Sequence, residues 1–177
     1  MIFTKAPLSG AYLVDLEPRG DARGFFARTF CETEFADHEL ITRFVQSNFS
    51  VAAQAGTIRG LHYQVAPAPE AKLIRCTKGA IYDVIVDMRD GSETRGQWFG
   101  AELTPENRTA MYVPEYFAHG FLTLQPESEV HYMASATYTP EAERGVRFDD
   151  PAVGIDWPLE AQVVTDKDRS WPSIADT

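Results

Sequence analysis

Cysteine is scarce in this chain. Only Cys31 and Cys76 occur, in unrelated contexts and not as a CxxC pair, which argues against a disulfide framework or a zinc cluster and for two buried free thiols. Positive charge is also in short supply. Sixteen Lys and Arg face twenty-six Asp and Glu, for a net charge of −10. Nucleic acid is bound through clustered Lys and Arg, so no nucleic-acid partner is expected. A local Arg/Lys cluster holding a small anion is still compatible with an acidic protein. No apolar run is long enough to cross a bilayer, so no membrane association is expected. The first residues, Met1-Ile2-Phe3-Thr4-Lys5-Ala6-Pro7, lack the pattern of a signal peptide. The expectation is a soluble cytoplasmic protein.

Several catalytic signatures are missing too. There is no GxxxxGK[ST], no GxGxxG between a strand and a helix, no GxSxG and no HExxH. No His-x-His occurs, so a metal site would have to be assembled from scattered residues, and none is expected.

What is present is a single domain of 177 residues, 44% hydrophobic and 24% charged, with no repeat, linker or low-complexity tract. Strand signals dominate. They cover residues 24–30, 44–51, 72–77, 80–87, 97–103, 110–113, 120–124 and 130–138. Between them lie breaks rich in Gly, Pro, Asp or Glu. About eight short strands at roughly ten-residue spacing predict an antiparallel sandwich or barrel. The best helix signal runs from Thr33 to Leu40. After Asp150-Pro151 the pattern weakens, and the tail is expected to pack over the barrel.

Two strands carry a polar face. Gln46, Asn48 and Ser50 share one face, opposite Val45, Phe49 and Val51. Tyr132, Ala134, Ala136 and Tyr138 share another if residues 130–138 are one strand. Such faces suit a barrel that holds a ligand, which needs polar handles and space inside. They equally suit a solvent-facing surface over an apolar core, and patterning alone leaves both readings open.

Four histidines occur. His38 falls in the acidic helix and His131 points opposite to Tyr132, so neither is a candidate. His62 and His119 sit in short segments packed with Gly and aromatics, Arg59-Gly60-Leu61-His62-Tyr63-Gln64 and Pro114 to Phe121. With nucleotide-redox and hydrolase motifs absent, acid/base chemistry without a cofactor remains. His is the natural base near neutrality, and Lys72 is near it in sequence as a donor to an enolate oxygen.

These strings, with Asp21 to Phe26, Gln46 to Ser50, Gly56 to Gln64, Lys72 to Cys76, Gly79 to Arg89 and Asp150 through Pro158, resemble the dTDP-4-dehydrorhamnose 3,5-epimerases. The resemblance runs in order from about residue 20 to 170. It implies an all-β, cupin-type jelly roll with a few short helices, usually a homodimer, with no metal or organic cofactor. It implies a nucleotide-sugar substrate, a dTDP-4-keto-6-deoxyhexose inverted at C3 and C5. Related enzymes invert one carbon only or move the keto group.

By position, His62 would be the base, Asp168 its carboxylate partner, Tyr132 the acid on the other face of the sugar and Lys72 the enolate donor. Arg23, Gln46, Asn48, Arg59, His119, Tyr138 and Glu143 would hold substrate. Arg28 stands at a further substrate position where many members carry Glu, and Ser47 where many carry Asp. Strict alternation would put Arg59 and His62 on opposite faces, so the resemblance also implies a bulge or kink at Gly60.

Overall fold

The computed structural model describes residues 1–176 and is built almost wholly of strands. In chain order they are β1 (Ile2–Lys5), β2 (Tyr12–Asp15), β3 (Arg19–Asp21), β4 (Gly24–Phe26), β5 (Gln46–Ala52), β6 (Ile58–Gln64), β7 (Lys72–Lys78), β8 (Ile81–Asp87), β9 (Trp98–Leu103), β10 (Ala110–Val113), β11 (Phe117–Thr123), β12 (Ser128–Ala134) and β13 (Glu143–Gly145). Two short α-helices, α1 (Glu32–Asp37) and α2 (Asp166–Arg169), complete it with two 3-10 turns.

A six-stranded sheet in the order β1-β2-β10-β7-β12-β5 faces a five-stranded sheet in the order β13-β6-β11-β8-β9. The pairings within both are antiparallel. This is the expected cupin-type jelly roll. Strands β1, β2, β3 and β13, of three or four residues each, and the seven-residue β6 lie outside the expected strand segments. The helix covers a shorter span than Thr33 to Leu40: it starts after Cys31, whose side chain makes no cap bond, and ends at His38.

Strands β8, β10 and β11 are covered on both faces, which explains their apolar runs, whereas the outer face of β5 is open to solvent. Between the sheets pack Ile74, Cys76, Ile81, Ile85, Leu103, Met111, Phe117 and Val130. Outside the six-stranded sheet, α1 inserts Phe35 against Tyr12, Val14, Leu73 and Tyr112. Outside the five-stranded sheet, the chain after β13 covers Leu61, Tyr63, Val84 and Val86 with Val146, Val153 and Ile174. The tail therefore packs over the barrel, as the weakening pattern suggests. Buried Asp150 fixes it, accepting from Ser173 Oγ at 2.9 Å and Ile174 N at 2.6 Å. Of the two free thiols, Cys76 is buried and Cys31 only partly so.

The loop from residue 88 to 97 is organised around a buried carboxylate at the end of β8. Asp87 accepts from Arg89 Nη2 at 2.6 Å, Ser92 Oγ at 2.7 Å and Thr94 Oγ1 at 2.6 Å. Burial alone would raise its pKa, but these donors outweigh burial and hold the carboxyl well below the usual carboxylate range. A depressed folded-state pKa contributes stability in full above the unfolded value, about 3.9, and loses it as pH falls below that. Asp87→Asn should therefore cost about 3 kcal/mol at pH 7 in urea unfolding. The gap to the parent protein should narrow below about pH 4; a gap that stays constant to pH 2 would show that the charge is not what holds the loop.

Candidate active site

A cavity of about 520 Å³ opens at one end of the barrel between the two sheets. The six-stranded sheet contributes two cross-strand rows. Gln46, Ala134 and Lys72 form one, and Asn48, Tyr132 and Ile74 the next. Ala134 is small and leaves room between the long side chains beside it. Gln46, Asn48 and Ser50 all line the cavity, whereas Phe49 and Val51 on the other face of β5 are 59% and 54% exposed. The two readings of that face are thus decided: polar in, apolar out, the reverse of a strand over a solvent-facing surface.

Strand β12 ends at Ala134, so Tyr138 is not on a continuous strand with Tyr132. It still lines the cavity. Its backbone N–H donates to Gln46 Oε1 at 3.0 Å, which docks the loop after β12 against β5.

The five-stranded sheet supplies His62, His119 and Arg59. Here β6 is irregular. His119 pairs with His62 and Phe121 with Arg59, so two steps along β11 match three along β6. The extra residue is a bulge, and it lets Arg59 and His62 both line the cavity. Gly60 makes it possible. Its φ is +121°, and a Cβ there would lie 2.5 Å from Gly120 Cα and 2.7 Å from the His119 carbonyl oxygen. Only a residue without a side chain fits both constraints.

His62 Nε2 lies 2.5 Å from Asp168 Oδ1. Asp168 is carried by α2 and is buried. Burial would push its carboxyl up, but the hydrogen bond from His62 holds it below its ordinary value. An anionic Asp168 accepts, so Nε2–H donates and Nδ1 is left as the basic nitrogen. The edge of Trp171 flanks the imidazole with ring centroids 5.8 Å apart.

On the opposite sheet, burial, with a smaller effect from the Glu70 charge, raises the Tyr132 phenol above its usual pKa and keeps it protonated. The Lys72 ammonium lies 2.9 Å from Glu70 Oε1 and donates to the His62 carbonyl at 3.2 Å. At the mouth, Tyr138 Oη donates to Glu143 Oε2 at 2.9 Å, and Lys167 Nζ donates to the same oxygen at 2.7 Å. Burial acts to raise Glu143, but those two donors hold it below its normal range.

The structure thus brings together ten of the twelve candidates: His62, Tyr132, Asp168, Lys72, Gln46, Asn48, Arg59, His119, Tyr138 and Glu143. It does not bring Arg23 or Arg28 to this cavity. Arg23 sits at the tip of the β3–β4 hairpin, 89% exposed and paired with Asp21. Arg28 pairs with Glu34 beside the N-terminal amine, in a separate small concavity. For Arg23 the physical reason is that all eight residues of the hairpin, 19–26, are exposed rather than packed on the barrel; Arg28, beyond it, is held by Glu34.

Three residues with a part in the site escape sequence reasoning. Glu70 and Lys167 line the cavity, and buried Asp83 meets His119 Nε2 at 2.8 Å. Asp83 had a signal: a carboxylate inside the apolar run Ile81 to Val86 needs a partner. Among the described residues, no group of three or more His, Cys, Asp or Glu is placed to hold a metal ion.

A jelly roll with a histidine–aspartate pair facing a protonated tyrosine across a sugar-sized cavity defines a cupin-type isomerase. The sequence profile of dTDP-4-dehydrorhamnose 3,5-epimerases matches residues 5–176. A curated epimerase of that name from Sinorhizobium fredii is 43% identical over 177 residues, covering 99% of this chain and 91% of that protein. The crystal structure of the Elizabethkingia anophelis epimerase superposes with a TM-score of 0.96 at 36% identity, covering 99% of this chain and 97% of that one. A Legionella pneumophila dTDP-6-deoxy-D-glucose-3,5-epimerase, solved in complex with dTDP-4-keto-L-rhamnose, gives 0.91 at 37% identity, covering 98% and 93%. The chain belongs to the dTDP-4-dehydrorhamnose 3,5-epimerase family.

The bulge yields a test of site assembly. Gly60→Ala should destabilise the fold by about 3 kcal/mol, a Tm drop of roughly 6–12 °C. A melting curve that matches the parent would show that β6 has room for a side chain there.

Proposed function

We propose that the chain inverts C3 and C5 of dTDP-4-dehydro-6-deoxyglucose to give dTDP-4-dehydrorhamnose. The observation that carries this reading is that base and acid stand on opposite sheets, His62 on β6 and Tyr132 on β12, with the cavity between them. Inversion at carbon requires just that: one group removes a proton from one face and another returns one to the other face.

The C4 ketone acidifies the hydrogens on C3 and C5. His62 takes the proton through its free nitrogen, and the electron pair moves onto the C4 oxygen as an enolate. Asp168 stabilises the imidazolium that forms. Lys72 donates to the enolate oxygen. The Tyr132 phenol then protonates the carbon from the opposite face; the imidazolium releases its proton to solvent and the phenolate takes one up, which resets both groups for the second carbon. No electrons are gained or lost overall, so the chemistry asks for no redox cofactor. Gln46, Asn48, Arg59, His119, Tyr138 and Glu143 hold the nucleotide sugar, with Arg59 suited to the diphosphate by its fork of donors.

Arg23 enters this reading through a homodimer. Phe25 and Phe26 on its hairpin are 51% and 69% exposed, and Phe49 and Val51 on the edge strand β5 are exposed too. Exposed apolar groups of this kind mark protein contacts. A second copy would cover them and carry the hairpin of one chain to the cavity of the other. The two unpaired cysteines suit work in the reducing cytoplasm, and no described helix is long and apolar enough to cross a membrane.

NMR of dTDP-4-keto-6-deoxyglucose in heavy water with the protein should show deuterium entering at C3 and C5. His62→Asn should slow that exchange about a thousandfold; undiminished exchange would remove His62 as the base. Tyr132→Phe should retain part of the C3 exchange while blocking inversion.

Site sharing is tested separately. Arg23→Ala and His62→Asn proteins, each impaired alone, should regain activity when co-assembled, because one site of the hybrid then has both groups. No recovery in a verified hybrid would place Arg23 outside the site.

A further inference from the structure

We propose that Glu70 is a positioning residue for this reaction: its carboxylate holds the Lys72 ammonium in place to meet the oxygen of the enolate. The inference rests on the epimerase reading above and adds a residue that neither motif nor family position singled out.

The geometry is specific. Glu70 lies in the loop between β6 and β7, and its side chain is 11% exposed. Its backbone is clamped on both sides. Ala71 N–H donates to Ser135 Oγ at 2.7 Å, Ser135 N–H donates to the Ala71 carbonyl at 2.9 Å, and Gln64 Nε2 donates to the Ala68 carbonyl at 2.9 Å. The carboxylate is therefore presented from a fixed point on the cavity wall. Its Oε1 lies 2.9 Å from Lys72 Nζ, whose own side chain is 10% exposed.

The ammonium is thus held from two directions, by Glu70 and by the carbonyl of His62 at 3.2 Å. That second contact ties its position to the strand that carries the base. A lysine side chain has four rotatable bonds, and ordering it alone would cost side-chain entropy at each turnover. A buried ammonium also needs a compensating charge close by. Glu70 meets both needs before substrate arrives, and preorganised donors are the ones that lower a barrier. The carboxylate opposes the developing enolate charge, but it does so from behind the nearer ammonium. Loss of placement outweighs relief of that repulsion.

The test uses Glu70→Gln, which keeps the shape and removes the charge, with Tm measured to establish folding. We expect kcat for deuterium-tracked epimerisation to fall about tenfold or more, with KM for the dTDP sugar within about twofold. The fall should be absent in a Lys72→Met background, since a residue acting through Lys72 has nothing left to position.

A kcat for Glu70→Gln that is unchanged or raised overturns the proposal. So does a loss of the same size with and without Lys72. No exchange at C3 or C5 in the parent protein would instead overturn the epimerase reading itself. His62-dependent exchange with an indifferent Glu70→Gln variant would overturn only the role of Glu70.

Discussion

The hydrogen bond between His62 and Asp168 joins residues 106 positions apart. One partner belongs to the wall of the barrel and the other to a four-residue helix in the tail. Such a helix has no stability of its own. It is held by its surroundings: Thr165 caps it by accepting from Asp168 N, Thr57 bridges to Val163, and Asp150 anchors the chain beyond it. The tail thus has to be docked for His62 to have its partner. Its apolar side chains, packed on the outer face of the five-stranded sheet, therefore hold the His62–Asp168 pair together as well as stabilising the fold.

The strand pattern was legible where a strand is long and regular; β6, seven residues broken by a bulge and buried at five of them, shows no clean alternation. Strand β5 alternates cleanly because one face meets the cavity and the other meets solvent. Strands β1, β2 and β13 run three or four residues, too few for a period of two to stand out. The reach of β12 was overread. Tyr132 and Tyr138 both line the cavity, but a loop pinned by Gln46 places the second one, not the pleat. The bulge at Gly60 was legible only as a conflict between strict alternation and the need for Arg59 and His62 together. The backbone contact that enforces it comes from Gly120 on another strand, which no local pattern can reveal.

The site residues divide in the same way. Those embedded in dense strings, such as Arg59 to Gln64, are visible in sequence. Glu70 and Lys167 meet a partner from another element, and their local context is ordinary for a loop and a surface helix; Asp83 alone is marked, as a carboxylate inside an apolar run. Arg23 and Arg28 mark the opposite limit. Their positions match a substrate site, yet within one chain they pair with Asp21 and Glu34, away from the cavity.

The charges of the cavity bear on how a diphosphate would be held. Its lining holds three cations, Arg59, Lys72 and Lys167, and three carboxylates, Glu70, Glu143 and Asp168. Lys72 is paired with Glu70 and Lys167 with Glu143, while Asp168 serves His62. Arg59 instead donates to the carbonyl of Val51, a neutral acceptor, at 3.1 Å. Among the described residues, its charge is the one in the lining not offset by a carboxylate in contact, so it is the group best able to draw in phosphate oxygens. A diphosphate carries more negative charge than one guanidinium balances, and a protein of net charge −10 adds a repulsive background. A second arginine brought in on an exposed hairpin would supply the missing positive charge. That is the electrostatic reason behind the proposed homodimer: the paired charges of one cavity leave little to balance a diphosphate, and an arginine from a second copy would add to Arg59.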